Sequence, residues 1–162
     1  MVASAGWFTS FGGETAYVLS VGVLLIGVSL TIHTVFMALI LKSQLWLRSG
    51  LLDRASGVSL MVPSMLLATV FIAMSSFIQT ALWAWVLWHL GPFGDFLEAL
   101  YFSGTTYTTL GTGRHVLVPP YRALEAMEAA TGMLTSGLNT AVLFAMLSSM
   151  GRKRSGLEEF FR

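Results

Sequence analysis

From Thr15 to Leu41 the chain carries no Asp, Glu, Lys or Arg. Such a stretch exceeds the roughly 20 apolar residues that a helix needs to cross the hydrocarbon core of a bilayer. Two more stretches qualify. One begins near Val58, is strongest from Leu66 and ends around Leu90; the other runs from about Ala123 to Met150. Lipid offers no water to backbone N–H and C=O groups, so each crossing has to be a helix. Only 10% of the residues are charged and 55% are hydrophobic, whereas soluble domains carry about 25% charged residues. The expected class is an all-α membrane protein with three transmembrane helices. Pro63 falls in the early turns of the second crossing, where a kink or a ragged start is expected.

Basic residues orient the crossings. Lys42, Arg48 and Arg54 follow the first; Arg152, Lys153, Arg154 and Arg162 follow the third. Cytoplasmic loops carry the excess of Lys and Arg, and three crossings put both groups on one side. The N-terminus and the segment from Gly91 to Tyr121 are then expected outside, and the C-terminus in the cytoplasm. Trp83, Trp85 and Trp88 are expected to form an aromatic belt at the outer interface. Residues 1–13 hold no Lys or Arg, so no cleavable leader is expected. The chain has no cysteine, which excludes disulfides, thiolate metal sites and thiol catalysis. No nucleophile–base set or cluster of metal ligands suggests an enzyme, and nothing points to a nucleic acid.

The segment between the second and third crossings is of a different kind. "GPFGD" (Gly91 to Asp95) reads as a turn with Asp95 as a helix N-cap. "FLEALYFSGTTYT" (Phe96 to Thr108) has helical spacing, but at 1.5 Å per residue it covers only about 20 Å, too short for a core of about 30 Å. A short helix that returns through "TLGTG" is a re-entrant loop. Irregular backbone at membrane depth is tolerated only inside protein or against a water-filled cavity, so the loop implies a pore made from several copies of this chain. Within it, the backbone carbonyls of Thr109, Leu110, Gly111 and Thr112 have the makings of a cation filter, replacing the ion's hydration shell. Gly111 and Gly113 supply the positive φ angles that such a row demands. The Thr109 hydroxyl adds an oxygen at the inner end. The partly negative C-terminus of the short helix also favours cations. The competing reading is ordinary Thr and Gly contact between helices.

"ALYFSGTTYTTLGTG" (Ala99 to Gly113) resembles the pore helix and filter of the potassium-channel superfamily, whose signature is T-x-G-Y-G followed by Asp. "RALEAMEAATGMLTSG" continues the match, with Arg122, Leu124, Glu128 and Gly132 at the places of an R-x-L-x-x-x-E-x-x-x-G inner helix. The likeness is greatest to small bacterial channel proteins with TTLGYGD or TTLGTGD loops, and it covers residues 96–150. It implies a homotetramer in a bacterial inner membrane and a permeant monovalent cation, K+, in place of any cofactor. It divides the chain into an extra transmembrane helix with a basic cytoplasmic loop (1–57), a pore domain (58–151) and a short basic tail (152–162). It also implies filter support from Tyr101, Thr105 and Tyr107, with Phe102 beside them, and a hinge at Gly132. Ser136, Thr140 and Phe144 would line the cavity and gate. Two positions depart from the signature. Thr112 replaces the filter aromatic, and Arg114 replaces the acidic residue and puts a positive charge at the outer mouth.

Other residues carry two readings each. Glu128 packs behind the filter and hydrogen-bonds the loop, or it pairs with Arg114 or Arg122; Glu125 lies nearer the surface. Gly132 and Gly137 permit bending or close packing. His33 is a proton sensor or a bundle-facing hydrogen-bonding residue, the role also expected of Gln79. Arg152, Lys153 and Arg154 anchor the topology at the headgroups and are candidates for anionic lipid. Three functions compete: a passive K+ channel with relaxed selectivity, a non-selective cation channel of the same fold, and a non-conducting scaffold or accessory subunit.

Overall fold

The structure, a computed structural model, describes residues 12–51, 61–111, 113 and 115–160. Arg54, Thr112, Arg114 and Arg162 lie outside the described residues, as do the side chains of Arg48, Arg152, Lys153 and Arg154. Among the described residues there are four helices: α1 (Gly13–Leu51), α2 (Met61–Leu90), α3 (Phe96–Tyr107) and α4 (Arg122–Phe160). Three are long and apolar enough to cross a membrane, over Gly13–Leu47, Val62–Leu90 and Arg122–Ser149. The protein is an all-helical integral membrane protein.

Two helices outrun their apolar stretches. α1 continues past Leu41 to Leu51, so Lys42 and Arg48 lie on helix rather than in a loop. α4 continues past Met150 to Phe160, and the basic run Arg152–Arg154 falls on its last turns. Hydropathy marks where lipid ends. The helix ends only where a breaker or a turn stops it, and "KSQLWLRS" contains none. Pro63 sits in the first turn of α2, where its missing N–H has no helical partner to lose.

The chain forms two compact units, Met1–Thr31 with Ile78–Leu134, and Ile32–Phe77 with Thr135–Arg162. The first holds the apolar core: Val18 and Leu25 of α1, Trp83, Ala84 and Leu87 of α2, Ala99, Phe102 and Tyr107 of α3, Leu124 of α4, and Phe93 and Leu117 of the connecting segments. In lipid there is no hydrophobic drive between helices, so small residues and interhelical hydrogen bonds hold them together. Both devices are present. Gly22 of α1 lies directly against α4; a Cβ there would meet the end of Met127 and come within 2.9 Å of Leu124 Cδ2. Trp83 Nε1 donates to Ser29 Oγ at 3.2 Å. The expected belt of three tryptophans is corrected by this bond. Trp83 is fully buried, while Trp85 and Trp88 are 51% and 38% exposed. At 100° per residue, positions 85 and 88 share a face that 83 does not.

In the second unit α1 and α2 run antiparallel. Phe36 meets Phe71 edge to face with centroids 6.3 Å apart, and Gln44 Nε2 donates to the Ser64 carbonyl at 3.2 Å. His33 is buried in this unit with Nε2 unpartnered. Here α4 presents Ser136, Thr140 and Phe144 on an exposed face, Phe144 at 70%. The Thr140 hydroxyl donates back to the Ser136 carbonyl at 3.0 Å, which satisfies it in an apolar setting.

Candidate functional site

The site is built on the end of α3. Asp95 stands at the N-cap position with extended backbone, but its side chain makes no capping bond; its carbonyl accepts from Ala99 N at 3.2 Å. The expected side-chain cap is therefore absent, and α3 starts on backbone bonds alone. One face of the helix, Leu97 and Tyr101, is turned outward, and Phe102, Ser103, Thr106 and Tyr107 are buried. Tyr101, four residues after Leu97, shares its direction and is half exposed. Phe102 packs on Phe93 with centroids 5.0 Å apart.

The C-terminus of α3 closes in a Schellman motif. Leu110 N donates to the Thr105 carbonyl at 2.8 Å, and Thr109 N to the Thr106 carbonyl at 2.9 Å; Gly111 N also reaches Thr105, at 3.1 Å. Thr109 occupies the left-handed position at φ 59°. Glycine usually stands there, and a β-branched residue pays about 1–2 kcal/mol for it. Gly111 and Gly113 take φ 54° and 65°, which glycine adopts freely. Every second residue from 109 to 113 is thus left-handed.

The peptide geometry sets the direction of the carbonyls. In a trans peptide the C=O of one residue opposes the N–H of the next. The N–H groups of Leu110 and Gly111 turn back onto Thr105, so the carbonyls of Thr109 and Leu110 face away from α3. Among the described residues, Thr109, Leu110 and Gly111 are all exposed, Leu110 at 73%. Thr105 supports the loop through its main chain, while its hydroxyl is bonded to the Phe102 carbonyl at 2.8 Å. The Thr108 hydroxyl turns back to the Gly104 carbonyl at 2.7 Å.

The helix end is held from two sides. Tyr107 donates its hydroxyl to Gln79 Oε1 of α2 at 3.1 Å. Its backbone carbonyl lies against Gly132 of α4, where a Cβ would overlap that oxygen and come within 2.8 Å of the carbonyl carbon. α4 runs through Gly132 without interruption. Glu128, one turn earlier, is fully buried. The Ser103 hydroxyl on α3 is close to it, but the geometry falls short of a hydrogen bond, and both carboxylate oxygens and Ser103 Oγ have no partner among the described residues. Among the described residues Glu128 thus faces α3 and bonds neither Thr109–Gly111 nor Arg122; a pairing with Arg114 lies outside them. It and the glycine lie one turn apart on the helix face that receives α3.

Two further contacts are not legible in the sequence. His115 Nε2 lies 3.3 Å from Glu98 Oε1, and its ring meets Phe93 at 5.9 Å, tying the segment after the loop to the first turn of α3. Gly22 was one glycine among many in an apolar helix. Neither has a local signal, because the partners are 17 and more than 100 residues away.

The described residues thus hold three helices long and apolar enough to cross a membrane, with a short helix and a loop between the last two. Residues 64–149, more than half of the chain, match the family described as ion channel, and the protein belongs to that family. No curated protein and no solved structure matches the chain. The matched region holds α2 from Ser64 onward, α3, the loop and the apolar part of α4; α1 lies outside it.

Proposed function

We propose that the protein is a passive cation channel of potassium-channel type. The observation that carries this reading is the orientation of the Thr109 and Leu110 carbonyls, which face away from α3 on exposed residues while the amides of Leu110 and Gly111 are anchored on Thr105. Around a fourfold axis, four such loops would bring rows of carbonyl oxygens together, and a K+ ion would exchange its water for them. In this reading α3 is the pore helix of a re-entrant loop, and Thr109, Leu110, Gly111 and Thr112 are the ligands. Ser136, Thr140 and Phe144, exposed on α4, would face the inner cavity. The N-terminus and the loop lie outside the cell, by the charge distribution, in a bacterial inner membrane.

A non-selective cation channel is favoured by two side chains. Thr112 cannot reach as an aromatic does to stiffen the filter, and Arg114 puts positive charge at its mouth. Reconstitution decides between the two. Purified protein in planar bilayers or liposomes, with K+ on one side and Na+ on the other, is expected to show a reversal potential shifted toward that of K+. A potential near zero supports the non-selective channel. A verified tetramer that passes neither ion leaves the loop as structure only.

A further inference from the structure

Gln79 is an amide with no exposure at all, in the middle of an apolar helix. Burying such a group costs several kcal/mol unless it is hydrogen-bonded. Its oxygen accepts the hydroxyl of Tyr107, the last residue of α3. The residues that carry the loop, Thr105 and Thr106, lie two and one positions before Tyr107, and Thr109 lies two after it. The other side of the same residue is blocked by Gly132. Tyr107 is therefore clamped, side chain to α2 and backbone to α4. A small rotation of the end of α3 would be transmitted directly to the carbonyls of Thr109 and Leu110. At position 112 the chain has no aromatic ring to brace the filter from within.

We infer that Gln79 is a positioning residue for cation selectivity: its bond to Tyr107 fixes the helix end on which the filter carbonyls are mounted. The inference rests on the channel reading above. It replaces bracing inside the filter by bracing from the outer helix α2. Selectivity is a difference in binding free energy between cations, so a lost hydrogen bond of ordinary strength shifts it by about three- to tenfold.

The test uses the full chain, reconstituted, with two readouts. One is the K+/Na+ permeability ratio. The other is hydrogen exchange of the peptide that contains the Leu110 and Gly111 amides. Gln79→Met keeps the shape and removes the acceptor; Tyr107→Phe removes the donor. Each is expected to lower the ratio about three- to tenfold and to speed exchange, and the double variant is expected to lose clearly less than the sum of the two, because both remove the same bond. Gln79→Glu, which keeps an oxygen acceptor, is expected to restore the ratio to within about twofold of the unmodified protein. Ser29→Ala removes a different buried interhelical bond, that of Trp83, and is expected to leave both readouts unchanged.

Assembled Gln79→Met and Tyr107→Phe proteins with an unaltered ratio overturn the inference, whatever their exchange, and so does an equal loss in Ser29→Ala. An unmodified protein with a ratio near one also overturns it, since no selectivity is there to set. Should the unmodified tetramer pass no cation, the channel reading fails on that result. The exchange arm then decides the anchor alone: faster exchange in both variants upholds it, and unchanged exchange removes it.

Discussion

At Gly132 and Gly22 the same residue type answers to different neighbours. The atoms a Cβ would strike at Gly132 are the backbone carbonyl of Tyr107, which cannot move without moving the loop. At Gly22 they are the ends of the Met127 and Leu124 side chains, which can swing aside. Gly132→Ala is therefore expected to cost about 1–3 kcal/mol or more, and Gly22→Ala less than about 1 kcal/mol. Thermal melting of the two purified variants, with size-exclusion profiles, checks the order; equal losses would remove the close approach at Gly132 as its cause. Thr109 poses the opposite case. Thr109→Gly relieves the left-handed strain and is expected to stabilise the chain by up to about 1 kcal/mol. It also deletes a proposed ion-binding hydroxyl, so conductance or selectivity is expected to fall as the melting temperature rises. Strain retained at a working position has this signature. A variant that is both more stable and fully selective would show that the hydroxyl has no part in conduction.

Among the helices, α2 has the sharpest division of labour. Its one buried tryptophan, Trp83, bonds α1 through Ser29, and its neighbour two residues on faces outward. Trp83→Phe loses the bond and part of the packing, and is expected to destabilise by about 1–2 kcal/mol, since interhelical bonds in lipid are worth about 0.6–2 kcal/mol. Trp85→Phe is expected to change stability by less than about 0.5 kcal/mol. Denaturation in detergent, followed by tryptophan fluorescence, separates them. The same bond shows that α1 is no loose appendage. It is built into the core of the first unit through Val18, Leu25 and Ser29, although it lies outside the region that matches the ion-channel family.

For the assembled molecule, the two departures in the loop carry the expectation. In the proposed tetramer Arg114 would repeat four times around the mouth, so Arg114→Asp is expected to raise K+ conductance severalfold at low salt, and less at high salt as screening sets in. Thr112→Tyr is expected to sharpen K+ over Na+ selectivity. Single-channel recording at two ionic strengths measures both. If neither substitution moves conductance or selectivity, the outer end of the filter lies elsewhere.

The three crossings, the short helix from Phe96 and the anomalous loop were all legible in the residues, because they depend on local quantities. Twenty apolar residues force a helix in lipid, twelve cannot cross, and glycine marks positive φ. The helix ends were not legible, since apolarity stops at the lipid boundary while α1 and α4 run on. Nor were the partners. No local pattern says that Trp83 turns inward and Trp85 outward, or that Gln79 receives Tyr107 from 28 residues away. Nor does any say that Glu128 would meet Ser103 rather than the loop, or that His115 would meet Glu98. Those pairings are set by how α1, α2 and α4 are rotated against α3. In an apolar chain every helix face is greasy, so hydropathy cannot fix the rotation. Glycines that admit a backbone, and buried polar atoms that must find each other, fix it instead.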